Sequence, residues 1–225
     1  MKKILNVLII EDHPMVIEGY QRVFEEISSV DRNFKFNIAS ALCCETANFK
    51  INEYTISNSI DIVLLDLRLP ASKDGKTISG EDVGYKIRDE FPNCKIIIIT
   101  SLSDNYILNT ILKKLNPDGL IIKSEISGRE LKDAIFSVLD DKPYYSISVL
   151  RLLRKQISSD FVVEPVDRQI LYHLSIGTKT KDLPKIVHLS LGGVERRKRQ
   201  LKQIFNVDET NDNVLLKIAK DNGFI

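Results

Sequence analysis

The fold class predicted by the sequence is α/β, a doubly wound five-stranded parallel sheet, followed by a small all-α domain. Three observations lead there. The runs Val7–Ile10, Ile62–Leu65 and Ile96–Ile99 read VLII, IVLL and IIII, continuous rather than alternating, as in strands covered on both faces. Helical patterns alternate with these runs through the first 140 residues. The charge then changes sign along the chain. Residues 1–150 carry 18 basic and 22 acidic side chains, and residues 151–225 carry 14 and 9. An acidic front and a basic back point to two domains with different partners, the back one suited to a polyanion.

The strands are expected at Ile4–Ile10, Phe34–Ala39, Ile60–Leu65, Lys95–Thr100 and Leu120–Ile122. Between them, Val16, Tyr20, Val23, Phe24 and Ile27 form one stripe of a helix over Met15–Ile27. Val83, Ile87 and Phe91 mark another helix, which stops at Pro92. Ile107–Leu115 and Glu130–Leu139 supply two more, and the less periodic span from Ala41 to Ser59 has room for one. Asp140-Asp141-Lys142-Pro143 breaks the last helix. Residues 141–164 read as a linker region holding a short apolar helix around Val149, Leu152 and Leu153 and a polar stretch from Gln156 to Asp160. Short amphipathic helices are expected at 166–176, 182–188, 191–205 and 212–221.

Composition narrows the class. With 225 residues, 43% of them hydrophobic and 28% charged, the chain fits one or two globular domains of ~100–200 residues each. No apolar run approaches the ~18 residues of a membrane helix. The opening Met1–Ile10 has a basic start and an apolar segment. Asn6 interrupts it, Glu11-Asp12 ends it, and no small-residue cleavage site follows, so a buried strand is the better reading. Cys43, Cys44 and Cys94 form neither a disulfide framework nor a zinc site, which makes a reducing cytoplasm the expected setting.

Ligands of a doubly wound sheet sit at the carboxyl ends of its strands. Those ends carry Glu11-Asp12, Asp66, Thr100-Ser101 and Lys123. Three carboxylates, a hydroxyl and an ammonium therefore share one rim. Hard oxygen ligands of this kind suit Mg²⁺, which favours phosphate chemistry. A carboxylate facing the metal can attack a phosphoryl group to give an acyl phosphate, and the lysine and hydroxyl can hold the new oxygens. His13, before Pro14, reads as a helix-start residue without a catalytic role. His173 and His188 read as core or surface residues.

The segments Ile9-Ile10-Glu11-Asp12-His13-Pro14, Leu64-Leu65-Asp66-Leu67-Arg68-Leu69-Pro70, Ile98-Ile99-Thr100-Ser101 and Gly119-Leu120-Ile121-Ile122-Lys123 together resemble the flavodoxin-like receiver domain of two-component response regulators, over residues 1–140. The resemblance implies that Asp66 is the phospho-acceptor and that Glu11, Asp12, Asp66 and the Arg68 backbone carbonyl hold Mg²⁺. It further implies that Thr100 and Lys123 contact the phosphoryl group and that a phosphohistidine of a sensor histidine kinase is the donor. Haloacid-dehalogenase-type phosphatases also use a strand-end aspartate, with a second Asp two residues on. Arg68 stands there, which argues against a metal-dependent phosphohydrolase; no enzyme is expected. Two features depart from the receiver pattern. The loop from Pro70 to Gly80, PASKDGKTISG, is long, turn-like and polar, and is expected to be mobile. Leu120 stands three residues before Lys123, where receivers usually carry Tyr or Phe.

In the basic tail, a short helix, a turn and a longer basic helix over Asp182–Phe205 are the parts of a helix-turn-helix. Ser190 is a good N-cap for the second helix. Val194, Leu201, Ile204 and Phe205 fall on one stripe of it, while Arg196, Arg199 and Gln203, flanked by Glu195 and Lys202, point away. Val166–Leu174, Gly177, Lys181–Leu183, Ser190, Val194 and Leu201 resemble the spacing of the LuxR/NarL-type helix-turn-helix DNA-binding module, placed at residues 165–225. Gly192-Gly193 replaces its more usual polar-Thr pair, and Pro184 falls early in the supporting helix. The resemblance implies a transcriptional regulator that binds double-stranded DNA as a homodimer. Its DNA contacts would come from Lys179, Lys181, Ser190, Glu195, Arg196, Lys198, Arg199 and Lys202, with the arginines reading bases and the lysines touching the backbone. The competing reading is a receiver-controlled protein-interaction module.

Overall fold

The computed structural model describes residues 3–31, 33–57, 59–102, 104–157, 163–207 and 212–225. Strand β1 runs Lys3–Ile10, followed by helix α1 at Pro14–Val30, β2 at Phe34–Ala41, α2 at Cys44–Ser57, β3 at Ile62–Leu65 and α3 at Gly80–Glu90. Next come β4 at Lys95–Thr100, α4 at Asn105–Lys114, β5 at Gly119–Ile122, α5 at Gly128–Leu139 and a two-residue β6 at Tyr144–Tyr145. The sheet order is β2-β1-β3-β4-β5-β6, parallel throughout. The expectation of five strands is corrected to six. Tyr144 and Tyr145 pair with Gly119 and Leu120 because the chain leaves α5 alongside β5.

Alternate residues of the central strands face opposite sides of the sheet, and both sides are buried. On one side α1 and α5 place Ile17, Phe24, Ile27, Leu131, Ile135 and Val138 against Val7, Ile9, Leu64, Ile97, Ile99 and Ile121. On the other, Leu8, Ile10, Val63, Leu65, Ile96 and Ile98 are equally buried, which accounts for the continuous apolar runs. α2 buries Cys44, Ala47 and Ile51, a stripe at helical spacing made mostly of small residues.

The loop from Pro70 to Gly80, expected to be mobile, is closed by its own hydrogen bonds. The Ser72 N–H donates to the Thr77 carbonyl, the Thr77 N–H to Ser72 Oγ, and the Lys76 N–H to Asp74 Oδ1. Gly75 takes a positive φ of 68° at the turn. Ser79 then caps α3 in a reciprocal box with Asp82.

By contacts the chain divides into two compact units, residues 1–102 with 111–149, and residues 103–110 with 150–225. Helix α6 at Ile147–Ile157 begins in the first unit and continues in the second, which also holds α7 at Pro165–Ser175, a 3-10 turn at Thr180–Asp182, α8 at Pro184–Val187, α9 at Leu191–Ile204 and α10 at Asp212–Asp221. Helix α6 lies where the linker region is expected. Of the polar stretch there, residues 158–160 lie outside the described residues. Pro184 occupies the first position of α8, where its missing N–H costs no helical bond. His188 turns the chain between α8 and α9 in the left-handed region, at φ 52°. Ile170, Leu183, Val187 and Val194 pack together beneath this turn. Leu171, Leu201, Phe205, Leu215, Ala219 and Phe224 form a second cluster. No helix among the described residues is long and apolar enough to cross a membrane.

Candidate functional site

The sheet order puts β3 at the centre, between β1 and β4, so Asp66 has Glu11 on one side and Thr100 on the other, with Lys123 one strand further. The Asp66 N–H donates to the Ile10 carbonyl, continuing the β1–β3 ladder past the end of β3. The side chain is thereby aimed at the rim. Glu11 is 1% exposed, Asp66 3% and Thr100 0%. Lys123 Nζ lies 2.7 Å from Glu11 Oε2 and 2.7 Å from Asp66 Oδ2. One ammonium therefore bridges two buried carboxylates. Burial alone depresses the Lys123 pKa, but the hydrogen bonds to Asp66 and Glu11 and their charges outweigh it, and the pKa is raised. Asp66 Oδ1 accepts the Arg68 N–H at 3.1 Å, which holds the Arg68 peptide beside the carboxylate. Thr100 Oγ1 accepts the Leu102 N–H at 3.1 Å.

Asp12 and His13 complete the acidic corner. The ligand atoms of Glu11, Asp12 and His13 all lie within 4.8 Å of one another. His13 Nδ1 is 3.0 Å from Glu11 Oε1, and this hydrogen bond, with Asp12 beside it, raises the imidazole pKa. His13 Nδ1 also stands 2.6 Å from Asp12 Oδ1, an ion-pair distance without hydrogen-bond angles, so Oδ1 is buried with no hydrogen-bond partner. An orphaned carboxylate oxygen beside two further carboxylates fits a hard divalent cation such as Mg²⁺. The Tyr20 phenol on α1 faces the same charges. Burial and then the Glu11 and Asp66 carboxylates raise its pKa.

Sequence reasoning missed Gly80. A Cβ built on it would meet the Asp66 carbonyl oxygen at 2.0 Å and Leu67 Cα at 2.7 Å. The first residue of α3 is therefore pressed against the backbone that carries Asp66. The only local signal is a glycine after a capping serine.

In the second unit, Ser190 Oγ accepts the Gly193 N–H at 3.1 Å and caps α9 as expected. Gly193 lies 3.3 Å, measured from a built Cβ, from that same oxygen, so the small residue keeps the cap open. Arg196, Arg199 and Gln203 are exposed, as are Lys179, Lys181, Ser190 and Glu195. Among the described residues, Arg196 and Arg199 have no acidic group within ion-pair distance.

Two lysines depart from expectation. Lys202, expected to flank an outward face, is 8% exposed in its side chain and lies 2.6 Å from Asp212 Oδ1. Lys198 is 14% exposed and lies 2.7 Å from Asp212 Oδ2. A carboxylate at the start of α10 draws both ammoniums inward. Arg197 is similarly held by Glu164 at 2.9 Å and Asp167 at 3.0 Å. No feature near the basic run in sequence foretells Asp212.

These two sites can be set beside known proteins. Transcriptional regulatory protein ComA of Bacillus subtilis (strain 168) is 27% identical over 235 residues, with all of both chains covered. Transcriptional regulatory protein RcsB of Escherichia coli (strain K12) is 25% identical over 215 residues, covering 94% of this chain and 92% of the relative. The fold matches the solved structure of RcsB from Salmonella enterica serovar Typhimurium bound to promoter P1flhDC in the presence of phosphomimetic BeF3-. That match has a TM-score of 0.61 at 23% identity over 95% of this chain and 96% of that one. Residues 7–136, more than half of the sequence, match the response regulator receiver domain, and the chain belongs to that family.

Proposed function

We propose that this protein is a phosphorylation-controlled, DNA-binding transcriptional regulator of a two-component system, working in the cytoplasm and pairing as a homodimer on DNA. Residues 1–140 would act as the receiver, 141–164 as the connecting region and 165–225 as the DNA-binding domain. The observation that carries the first half of this reading is the bridging of Glu11 and Asp66 by Lys123 at the carboxyl rim of the sheet. A carboxylate held by a lysine at this place is a nucleophile with a cation for the incoming phosphoryl oxygens already beside it.

In the proposed reaction an Asp66 oxygen attacks the phosphorus of a phosphohistidine on a sensor kinase. The P–O bond forms as the P–N bond breaks, and the imidazole leaves with the electron pair. Mg²⁺ bound at Glu11, Asp12, Asp66 and the Arg68 carbonyl would neutralise charge on the phosphoryl oxygens. Lys123, released from Asp66 as that carboxylate becomes an acyl phosphate, would move its proton-rich head to a phosphoryl oxygen. Thr100 Oγ1 would donate to another, exchanging its present role as acceptor. Conversion of a buried anion into a larger dianion rearranges these partners and thereby biases the rest of the protein.

The second half rests on the two exposed arginines of α9, which have no acidic group within ion-pair distance among the described residues, and on the similarity to regulators whose solved relatives are bound to DNA. Arginine suits bidentate contact with guanine in the major groove. Ser190, Lys179 and Lys181 would reach the backbone. The test is selection of fragments from genomic DNA by the full-length protein, with and without beryllium fluoride and Mg²⁺. Recovery of a common motif with two half-sites supports the reading. Recovery of unrelated fragments with steep salt dependence alone, or of none, favours a protein-interaction role.

A further inference from the structure

Helix α9 carries one acid and five cations between Glu195 and Lys202. Three of the five are engaged inside the second unit, Arg197 by Glu164 and Asp167, and Lys198 and Lys202 by Asp212. We infer that Asp212 sets the general affinity for DNA and its salt dependence: by holding Lys198 and Lys202 together it withholds them from DNA phosphates, leaving Arg196 and Arg199 to dominate the contact. This rests on the DNA-binding reading above and adds a role to it.

The geometry is that of a clamp. The two Asp212 oxygens take one ammonium each, at 2.7 Å and 2.6 Å. Lys198 also donates to Thr180 Oγ1 at 3.1 Å, which ties it back toward the turn before α8. Asp212 itself is 43% exposed, so the clamp sits at the surface. It borders a polar concavity of about 340 Å³ lined by Thr180, Glu195, Lys198, Arg199 and Lys202. A phosphate entering there would meet two ammoniums already held by one carboxylate, with Glu195 beside them. Burial pushes the Asp212 pKa up, but the hydrogen bonds to both lysines and their charges more than offset this and lower it, so the clamp is ionised at neutral pH.

The consequence follows from how proteins find DNA. Each cation placed on a phosphate releases counterions and strengthens binding to every sequence alike. Each base-edge contact strengthens binding to one sequence. A phosphate contact made with every sequence cancels from the ratio of specific to non-specific affinity, so withholding it weakens the hold on all DNA and leaves the choice between sequences to the base-edge contacts. A basic run of RRKR would by itself give a sticky helix, and Asp212 engages Lys198 of that run together with Lys202.

The test uses the full-length protein, a duplex carrying the selected site and a scrambled duplex of the same length, titrated across a range of salt. Asp212→Asn should bind both duplexes several-fold more tightly and steepen the logarithmic salt slope by roughly one to two, as expected for one or two further phosphate contacts, with the selected-to-scrambled ratio little changed. Lys202→Gln in the wild-type background should leave the slope unchanged, and in the Asp212→Asn background should reduce it by about one. Circular dichroism checks folding; if Asp212→Asn does not fold, the single Lys202→Gln variant decides. An unchanged slope in Asp212→Asn, or a slope already reduced by Lys202→Gln alone, overturns the inference. A wild-type protein that does not distinguish the two duplexes at all would overturn the DNA-binding reading and the inference with it.

Discussion

The rim of the sheet and the basic helix solve opposite charge problems with mirrored arrangements. At the rim one ammonium, Lys123, lies between two carboxylates, Glu11 and Asp66. At α9 one carboxylate, Asp212, lies between two ammoniums, Lys198 and Lys202. The difference is in what is left over. The rim keeps an orphaned carboxylate oxygen on Asp12 and hence an excess of negative charge facing a site for a cation. The helix keeps two exposed arginines and hence an excess of positive charge facing outward. In each case the bridging residue fixes the local geometry, and the residues left outside the bridge are the ones proposed to meet the ligand. Breaking a buried pair by removing one partner typically costs ~3–5 kcal/mol, so the Lys123 bridge holds the shape of the rim even where its net contribution to stability is small, whereas the half-exposed Asp212 clamp is worth less.

The comparison can be broken most completely at Asp66. Asp66→Asn keeps the volume and removes the nucleophile. Mg²⁺-dependent labelling by a small phosphodonor should disappear, while the far-ultraviolet spectrum is unchanged. Undiminished labelling would place the acceptor elsewhere.

Gly80→Ala strikes the same site from behind. The added methyl overlaps the Asp66 carbonyl, so the α3 start or the Asp66 backbone must shift. Overpacking of this kind costs about 1–3 kcal/mol, and a backbone contact lies at the upper end. Urea unfolding should report a lower midpoint, accompanied by slower phosphorylation. A variant with wild-type stability and rate would show that the contact is not tight.

On the helix, Arg199→Ala should cost about 1–3 kcal/mol of affinity for the selected duplex and relax preference at one base pair. The rim should be untouched, with the phosphorylation rate unchanged. Equal affinity and an unchanged motif would remove α9 as the reading element.

The smallest effect is expected at Ser190, the N-cap of α9. Ser190→Ala loses the hydrogen bond to Gly193 and should cost about 1 kcal/mol of stability in the second unit. A melting temperature that does not fall would assign the start of α9 to packing alone.

Much of the rim was legible because it is a consequence of strand ends. β1, β3 and β4 are buried on both faces, so their apolar runs stand out and the polar residues ending them, Glu11, Asp66 and Thr100, are unmistakable. α2 was harder to read, since the stripe it buries is Cys44, Ala47 and Ile51 while Phe49 is exposed. β6 could not be read, because two residues after a proline carry no periodicity. Tyr144 and Tyr145 pair only because the chain happens to pass β5. The outward arginines followed from helical spacing, whereas the inward turn of Lys198 and Lys202 did not. Spacing places a side chain on a face, but a long lysine goes to the nearest carboxylate, and Asp212 comes from the next helix. Gly80 was hidden for a similar reason: its constraint is a contact with Asp66, fourteen residues earlier in the chain and adjacent only in the fold.

The central claim is that the chemical state of Asp66 governs the engagement of DNA by α9. The most direct measurement is the affinity of full-length protein for its selected duplex, with and without beryllium fluoride and Mg²⁺, in wild type and Asp66→Asn. Coupling of this kind is commonly about 1–3 kcal/mol, so the wild-type affinity should change by roughly 5- to 150-fold, and that of Asp66→Asn should not change. Equal affinity of the wild type in both conditions, or the same response in Asp66→Asn, would contradict the account.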